Sequence, residues 1–182
     1  STTTHYSYDG DGNILSIITD DFYGEQKVNF YWKDGKLEKS EEYTDNELVS
    51  YSLYDYDTAG NIGGKAVYQP DQAGEFKENF IYVYLYFTTG NLYKQQIYYH
   101  SENDVDYSLI STRTYDNYLD KTNLFPVNEI IPGIMTQKNL PGLYRIEENG
   151  SDLTFIFTYE YSEKGFAIKR NTQGEEIIYE YY

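Results

Sequence analysis

At 182 residues the chain is sized for one domain or at most two small ones, and its 30 acidic side chains against 14 basic ones leave a formal net charge of −16. That balance lacks the cationic footprint needed to neutralise phosphates, which excludes nucleic acid as a partner, and it gives no attraction to an anionic bilayer surface. Without cysteine there are neither disulfides nor thiolate metal sites, and no apolar run reaches the roughly 18–20 residues that span a membrane.

The aromatic content points to a thin sheet. The sequence holds 24 tyrosines against 9 phenylalanines, 1 tryptophan and 1 methionine. A buried tyrosine ring needs a partner or water for its hydroxyl, so a deep aliphatic core would not be filled this way. Rings lying on a sheet with their hydroxyls at the rim would satisfy both demands.

In chain order, the first segment, STTTHYSY, is strand-like and not preceded by a basic-then-apolar leader, as in a mature chain whose signal peptide has been removed. From there a repeat organises the sequence: YDGDGNI at 8–14, YWKDGKL at 31–37, YDTAGNI at 56–62, YFTTGNL at 86–92 and a degenerate YSEKGFA at 161–167. In each, a tyrosine precedes a glycine by four positions. A three-residue hairpin loop ends in a left-handed residue, which glycine supplies without a Cβ penalty. This spacing predicts the cross-strand pairs Tyr8–Ile14, Tyr31–Leu37, Tyr56–Ile62, Tyr86–Leu92 and Tyr161–Ala167. Reverse turns are expected between the repeats, at 20–24, 44–46, 69–74, 101–104, 148–151 and 172–174.

The run FIYVYLYFTT at 80–89 alternates with period two. Ile81, Val83, Leu85 and Phe87 fall on one face and Phe80, Tyr82, Tyr84 and Tyr86 on the other, so a central strand covered on both sides is expected. The rhythm breaks at 116–142, which holds three of the four prolines, Pro126, Pro132 and Pro141. A long connection with a helical turn is expected there, packed by Leu124, Phe125, Ile130, Ile131, Ile134 and Met135, and covering one end of the sheet. The resulting expectation is one all-β domain over 1–182: repeat hairpins at 6–100, the proline-rich connection at 116–142, and closing strands at 143–182. Its fold would be an antiparallel up-and-down meander of about twelve strands, curled into an open sheet or incomplete barrel.

The units YDGDGNI and YDTAGNI resemble the YD or RHS repeat, a Tyr-Asp turn followed by Gly-Asn and an aliphatic residue. With TYDN at 114–117, the proline-broken connection and TYEYSEKG at 158–165, the chain resembles more closely a family of uncharacterised Bacteroidetes lipoproteins. The resemblance implies a signal peptide and a lipidated cysteine upstream, export to the outer membrane, cell surface or periplasm, and a membrane link only through that anchor. It implies no activity and brings no catalytic residues.

Three sets of side chains carry chemistry. Asp9, Asp11 and Asn13 place oxygen ligands at alternate positions with Asp20 at the twelfth, as in a calcium loop; Ile14, however, stands where that loop needs glycine, and a hairpin turn explains the same residues. His5 and His100 are the only histidines, and His100 is followed by Glu102, Asp104 and Asp106, a set that suits metal or acid–base chemistry but reads more simply as a solvated turn after a strand. Acidic and hydroxyl residues are too plentiful to single out a catalytic pair, so no enzyme activity, cofactor or metal is assigned. Tyr82, Tyr84, Tyr86, Tyr93 and Tyr98 on two neighbouring strands, with Trp32, form the predicted ligand-binding set; Tyr31, Tyr54 and Tyr99 are further members of the aromatic population. The expected function is a non-catalytic exported envelope protein that binds or scaffolds a polysaccharide or peptide. A carrier of lipid or another apolar molecule, and a hydrolase, are the alternatives.

Overall fold

The computed structural model describes residues 2–22, 24–101, 106–122, 131, 132, 134 and 136–179. Alternating sequences separated by glycine-bearing turns leave these residues few choices but antiparallel strands, and they contain no helix. The strands are β1 (Thr3–Tyr8), β2 (Ile14–Asp21), β3 (Gly24–Lys33), β4 (Lys36–Thr44), β5 (Glu47–Tyr56), β6 (Ile62–Pro70), β7 (Phe76–Tyr86), β8 (Leu92–Tyr99), β9 (Ser108–Asp116), β10 (Leu143–Glu148), β11 (Ser151–Ile156), β12 (Thr158–Tyr161), β13 (Ala167–Thr172) and β14 (Glu175–Ile178). The first eleven form one sheet in chain order, an up-and-down meander not closed into a barrel, and the last three form a second sheet. The expected meander is therefore present, but the closing strands leave it. At Phe157 the backbone N–H donates to Gly142 O at 2.9 Å, which ends β11 and starts the smaller sheet.

Two turn chemistries build the hairpins. At 9–13 the Asp9 N–H donates to Asn13 O (2.9 Å) and the Gly12 N–H to Asp9 O (3.2 Å), with Gly12 at φ +86°. The Asp9 carboxylate accepts from the N–H groups of Asp11 and Asn13 and from Asn13 Nδ2, at 2.8 to 2.9 Å. The same pattern recurs at 57–61, and at 87–91 and 162–166 without the aspartate. Tyr8 pairs with Ile14, Tyr56 with Ile62 and Tyr161 with Ala167, as expected. A further copy at 71–75, where Pro70 replaces the tyrosine, is capped by Asp71 in the same way.

One expected pair is wrong. In YWKDGKL, Asp34 (φ +50°) and Gly35 (φ +71°) form a two-residue turn that joins Lys33 to Lys36. Trp32 then pairs with Leu37, and Tyr31 shifts to Lys39 across a bulge. Asp-Gly is a strong two-residue hairpin signal because both of its positions take φ above zero, and it overrode the tyrosine–glycine spacing. Asp45–Asn46, Asn149–Gly150 and Gln173–Gly174 turn the chain in the same manner.

The chain divides into two compact units, Ser1–Val83 with Tyr98–Ser108, and Tyr84–Ile97 with Leu109–Tyr182. In the first, one face is buried around Ile14, Phe30, Leu37, Ile62 and Val67, with Ser40, Ser50 and Ser52 packed among them. The second buries Tyr84, Leu92, Ile97, Tyr115, Ile131, Leu140 and Ala167. Along β7, Lys65 pairs with Tyr82 and Val67 with Phe80, which confirms that these rings share a face. The opposite face is covered only in part: Ile81 and Val83 are half-buried, but Leu85 is exposed. Phe87 has left the strand to open the 87–91 turn.

The helical turn expected in the connection, with Leu124, Phe125, Pro126 and Ile130, and the contribution of Met135, lie outside the described residues, as does most of the 101–104 turn. The flanks of the connection are described, and they fasten it to the 87–91 hairpin within the second unit. Leu92 N–H donates to Thr136 O (2.8 Å), and Leu119 N–H donates to Leu140 O (2.9 Å). Thr122 bridges Asn139.

Candidate functional site

The docking of the connection on the 87–91 turn creates a cleft of about 400 Å³ in the second unit, lined by Phe87, Thr88, Thr89, Asn91, Asp116, Tyr118, Leu119, Asp120 and Asn139. Its floor is aromatic. Phe87 stands edge-on to Tyr118, with ring centroids 6.1 Å apart at 85°, and leans on Tyr93 at 5.0 Å. Tyr118 is fixed by its hydroxyl, which donates to Leu92 O at 2.6 Å, and burial raises the pKa of that phenol.

The cleft wall is held by a reciprocal amide pair. Asn91 is buried; its Nδ2 donates to Asn139 Oδ1 at 2.9 Å, and Asn139 N–H donates back to Asn91 Oδ1 at 2.9 Å. These bonds tie together residues that lie 48 positions apart. The rim carries the exposed side chains Thr88, Thr89, Asp116 and Asp120. An apolar ring floor beside hydroxyl, amide and carboxylate groups suits a ligand with a C–H face and a rim of hydroxyls.

The predicted aromatic set is divided between the two compact units. Trp32, Tyr82 and Tyr98 belong to the first unit, and Tyr84, Tyr86 and Tyr93 to the second. Trp32 Nε1 donates to Ile14 O at 2.7 Å, so its indole clamps two strands. Tyr82 lies under Lys65, whose Nζ is 5.2 Å from the ring centroid. Tyr84 is 3% exposed, which closes its ring to any ligand. Tyr86 and Tyr98 are half-buried, and Tyr93 joins the cleft floor through Phe87.

Elsewhere tyrosine is used to build the sheet. In the first unit, the Glu41 carboxylate accepts from Tyr31 Oη (2.5 Å), Tyr43 Oη (2.8 Å) and Lys39 Nζ (2.7 Å). Tyr51 and Tyr68 stack at 4.6 Å and 6°, and the Glu78 carboxylate accepts from Tyr68 (2.9 Å) and from Tyr107. Partial burial pulls the Glu41 carboxyl upward, but the hydrogen bonds from Lys39, Tyr31 and Tyr43 outweigh it and bring its pKa to about 2. Hydrogen bonding to a carboxylate, with some burial, pushes Tyr31, Tyr68 and Tyr107 up to about 12. Tyr54 reaches about 12 chiefly through burial, with its hydroxyl against Ser40 Oγ at 2.9 Å. Carboxylates on neighbouring strands thus solve the hydroxyl problem posed by the composition.

The calcium reading fails on register. Asp20 pairs with Thr3 at the far end of β2, six residues and about 20 Å from the turn end at Ile14. Asp9 is committed to its own turn, and no group of three or more His, Asp or Glu is placed to hold a metal among the described residues. His100 packs on the Tyr107 ring at 4.8 Å, while His5 is exposed on β1. Of the acidic residues that follow His100, Glu102 and Asp104 lie outside the described residues, and Asp106 is exposed.

Sequence reasoning missed Phe87, Tyr118 and Asn139. The proline-rich connection signalled that something docks near the sheet, but nothing local tells which hairpin receives it.

No protein-family model matches the sequence, and no curated protein does. Solved structures do resemble it. A porin-like protein from Bacteroides vulgatus aligns over 95% of this chain and 91% of its own, at 15% identity and a TM-score of 0.57. A porin-like protein from Bacteroides uniformis aligns over 98% and 86% at 16% identity with a TM-score of 0.42. A protein of unknown function from Bacteroides fragilis aligns over 98% and 92% at 9% identity with a TM-score of 0.39. At these identities the first of them speaks for the fold alone.

Proposed function

We propose that this chain is a non-catalytic exported protein of a bacterial envelope that binds a neutral saccharide in the cleft between the 87–91 turn and the 116–142 connection. The observation that carries the reading is the cleft itself: the Phe87–Tyr118 floor, the Asn91–Asn139 wall and the Asp116 and Asp120 rim. One pyranose can lay its C–H face on the Phe87 ring while its hydroxyls reach the rim carboxylates and amides. The acidic balance of the chain favours a neutral ligand there over an acidic polymer. The porin-like description of the Bacteroides vulgatus neighbour is in keeping with an envelope setting, as is the lipoprotein resemblance of the YD-type turns.

Isothermal titration of the full chain with neutral oligosaccharides tests this. The expected result is saturable binding that Phe87→Ala weakens by about tenfold or more, or 1.4 kcal/mol. Asp116→Asn should weaken it without changing the fold. If Phe87→Ala binds as the wild type does, or if only peptides bind, the saccharide cleft is wrong.

A further inference from the structure

The phenols of the first unit carry a chemistry of their own. Tyr51 on β5 and Tyr68 on β6 are directly opposite in the register. Their rings lie face to face, with centroids 4.6 Å apart and planes 6° from parallel. Phe76 leans on Tyr51 at 5.5 Å and 42°, which helps to hold the stack. Both tyrosines are half-buried, so the pair is neither sealed from solvent nor free to swing apart. A small slide of one ring over the other brings their edge carbons together.

The two rings differ in how readily they lose an electron. The Tyr68 hydroxyl donates to Glu78 Oε2 at 2.9 Å, and the Tyr107 hydroxyl donates to Oε1 of the same carboxylate. A phenol that gives up an electron becomes a strong acid and sheds its proton with it. A carboxylate already hydrogen-bonded to the hydroxyl takes that proton without rearrangement, which makes Tyr68 easier to oxidise than a phenol facing water. Tyr51 has the opposite setting: Lys39 Nζ stands 4.9 Å from its ring centroid, and a cation over the ring opposes loss of an electron. Tyr68 is therefore oxidised first, with Tyr51 as the ring it meets. The Tyr115–Tyr144 stack, at 4.9 Å and 16°, lacks this arrangement. Tyr115 is 8% exposed, and its hydroxyl is set against Tyr144 instead of a carboxylate.

We propose that Tyr51 and Tyr68 form an oxidative modification site, which takes up one-electron oxidising equivalents and ends as a dityrosine tie between β5 and β6. Each phenol gives up one electron and one proton, the Tyr68 proton to Glu78 and the Tyr51 proton to water. The two radicals then join in a new carbon–carbon bond between ring positions ortho to the hydroxyls. Those carbons lose their hydrogens as protons while both oxygens are reprotonated, so two electrons and two protons leave overall. The oxidant is hydrogen peroxide acting through a peroxidase; one peroxide accepts both electrons and both protons and becomes two waters.

The test treats the full chain, dilute enough to keep chains apart, with hydrogen peroxide and a haem peroxidase, and follows dityrosine by its fluorescence. Gel filtration isolates the monomeric product, and peptide mass spectrometry locates the link. The expected result is a monomer lighter by two hydrogens, joined between the peptides that carry Tyr51 and Tyr68. Tyr51→Phe and Tyr68→Phe should each remove most of the intramolecular dityrosine, whereas Tyr107→Phe should keep the link. Glu78→Gln, which retains an acceptor oxygen but cannot take the proton, should slow its formation by about tenfold or more. Absence of an intramolecular link in the wild type, or a link placed at other tyrosines, would overturn the assignment. So would an unchanged yield in Tyr68→Phe, loss of the link in Tyr107→Phe, or an unchanged rate in Glu78→Gln.

Discussion

Gly142 is the residue on which the attachment of the connection turns, and Gly142→Ala measures it. A Cβ at this position would sit 2.6 Å from the backbone O of Asn117 and 3.3 Å from its Cβ, so backbone would have to move. The move would strain the bonds from Gly142 N–H to Asp116 O (3.2 Å) and Asn117 O (3.1 Å), and from Phe157 N–H to Gly142 O (2.9 Å). Overpacking of this kind costs about 1–3 kcal/mol. The lower entropy of an unfolded chain with alanine offsets about 0.4–1 kcal/mol of it. The net loss is about 1–2 kcal/mol, which in a chain of this size lowers the melting temperature by about 2–8 °C. Gly60→Ala is the comparison. Gly60 sits at φ +86° with nothing within 4 Å of a Cβ, so it bears only the left-handed penalty of about 1–2 kcal/mol before the same offset. Scanning calorimetry of both variants and the wild type reads the difference. Gly142→Ala melting at or above the wild-type temperature would refute the close approach and, with it, the fastening of the connection that forms the cleft.

Other consequences follow from side chains whose partners are known. Glu41 titrates near 2 when folded, below its ordinary value, so its contribution to stability is complete above about pH 4.5 and is lost as the pH falls toward 2. Glu41→Gln should flatten that acid limb in thermal melts, and parallel curves for variant and wild type would contradict it. Tyr31, Tyr68 and Tyr107 are raised to about 12, so their contribution is complete below pH 10 and is lost between about 10 and 12; alkaline melts should fall through that window. Asp57→Ala removes an acceptor of three hydrogen bonds and should cost about 1 kcal/mol, as loss of a helix N-cap does. Asp71→Ala should also lower the melting temperature, and a neutral result would show that the shared turn geometry does not depend on its aspartate.

The meander was legible because its information is local. A glycine at φ above zero, an aspartate that caps its own turn and an alternating strand all lie within a few residues, and Tyr8–Ile14 and Tyr56–Ile62 pair as that grammar requires. The same grammar misled where two signals overlapped, since Asp34–Gly35 took the two-residue turn and moved Tyr31 off Leu37. It was also read too narrowly: a turn is expected at 69–74, but requiring a tyrosine hid that it shares the geometry of the repeats, whose working part there is Asp71.

The sites were less legible because they depend on distant pairings. Trp32, Tyr82 and Tyr84 are conspicuous in sequence, yet backbone, a lysine and burial take them up in the fold. Phe87 looked like one more residue of an alternating strand until the turn claimed it. Asn91 meets Asn139 only because the connection folds back.

Chemical-shift mapping of the labelled chain with a neutral oligosaccharide is the most direct measurement of the central claim. Shifts concentrated on 87–91, 116–120 and Asn139, and small on the Tyr31–Glu41–Tyr43 and Tyr51–Tyr68 face, are what a saccharide in the cleft requires. Shifts centred on that tyrosine face, or none at saturating saccharide, would contradict it.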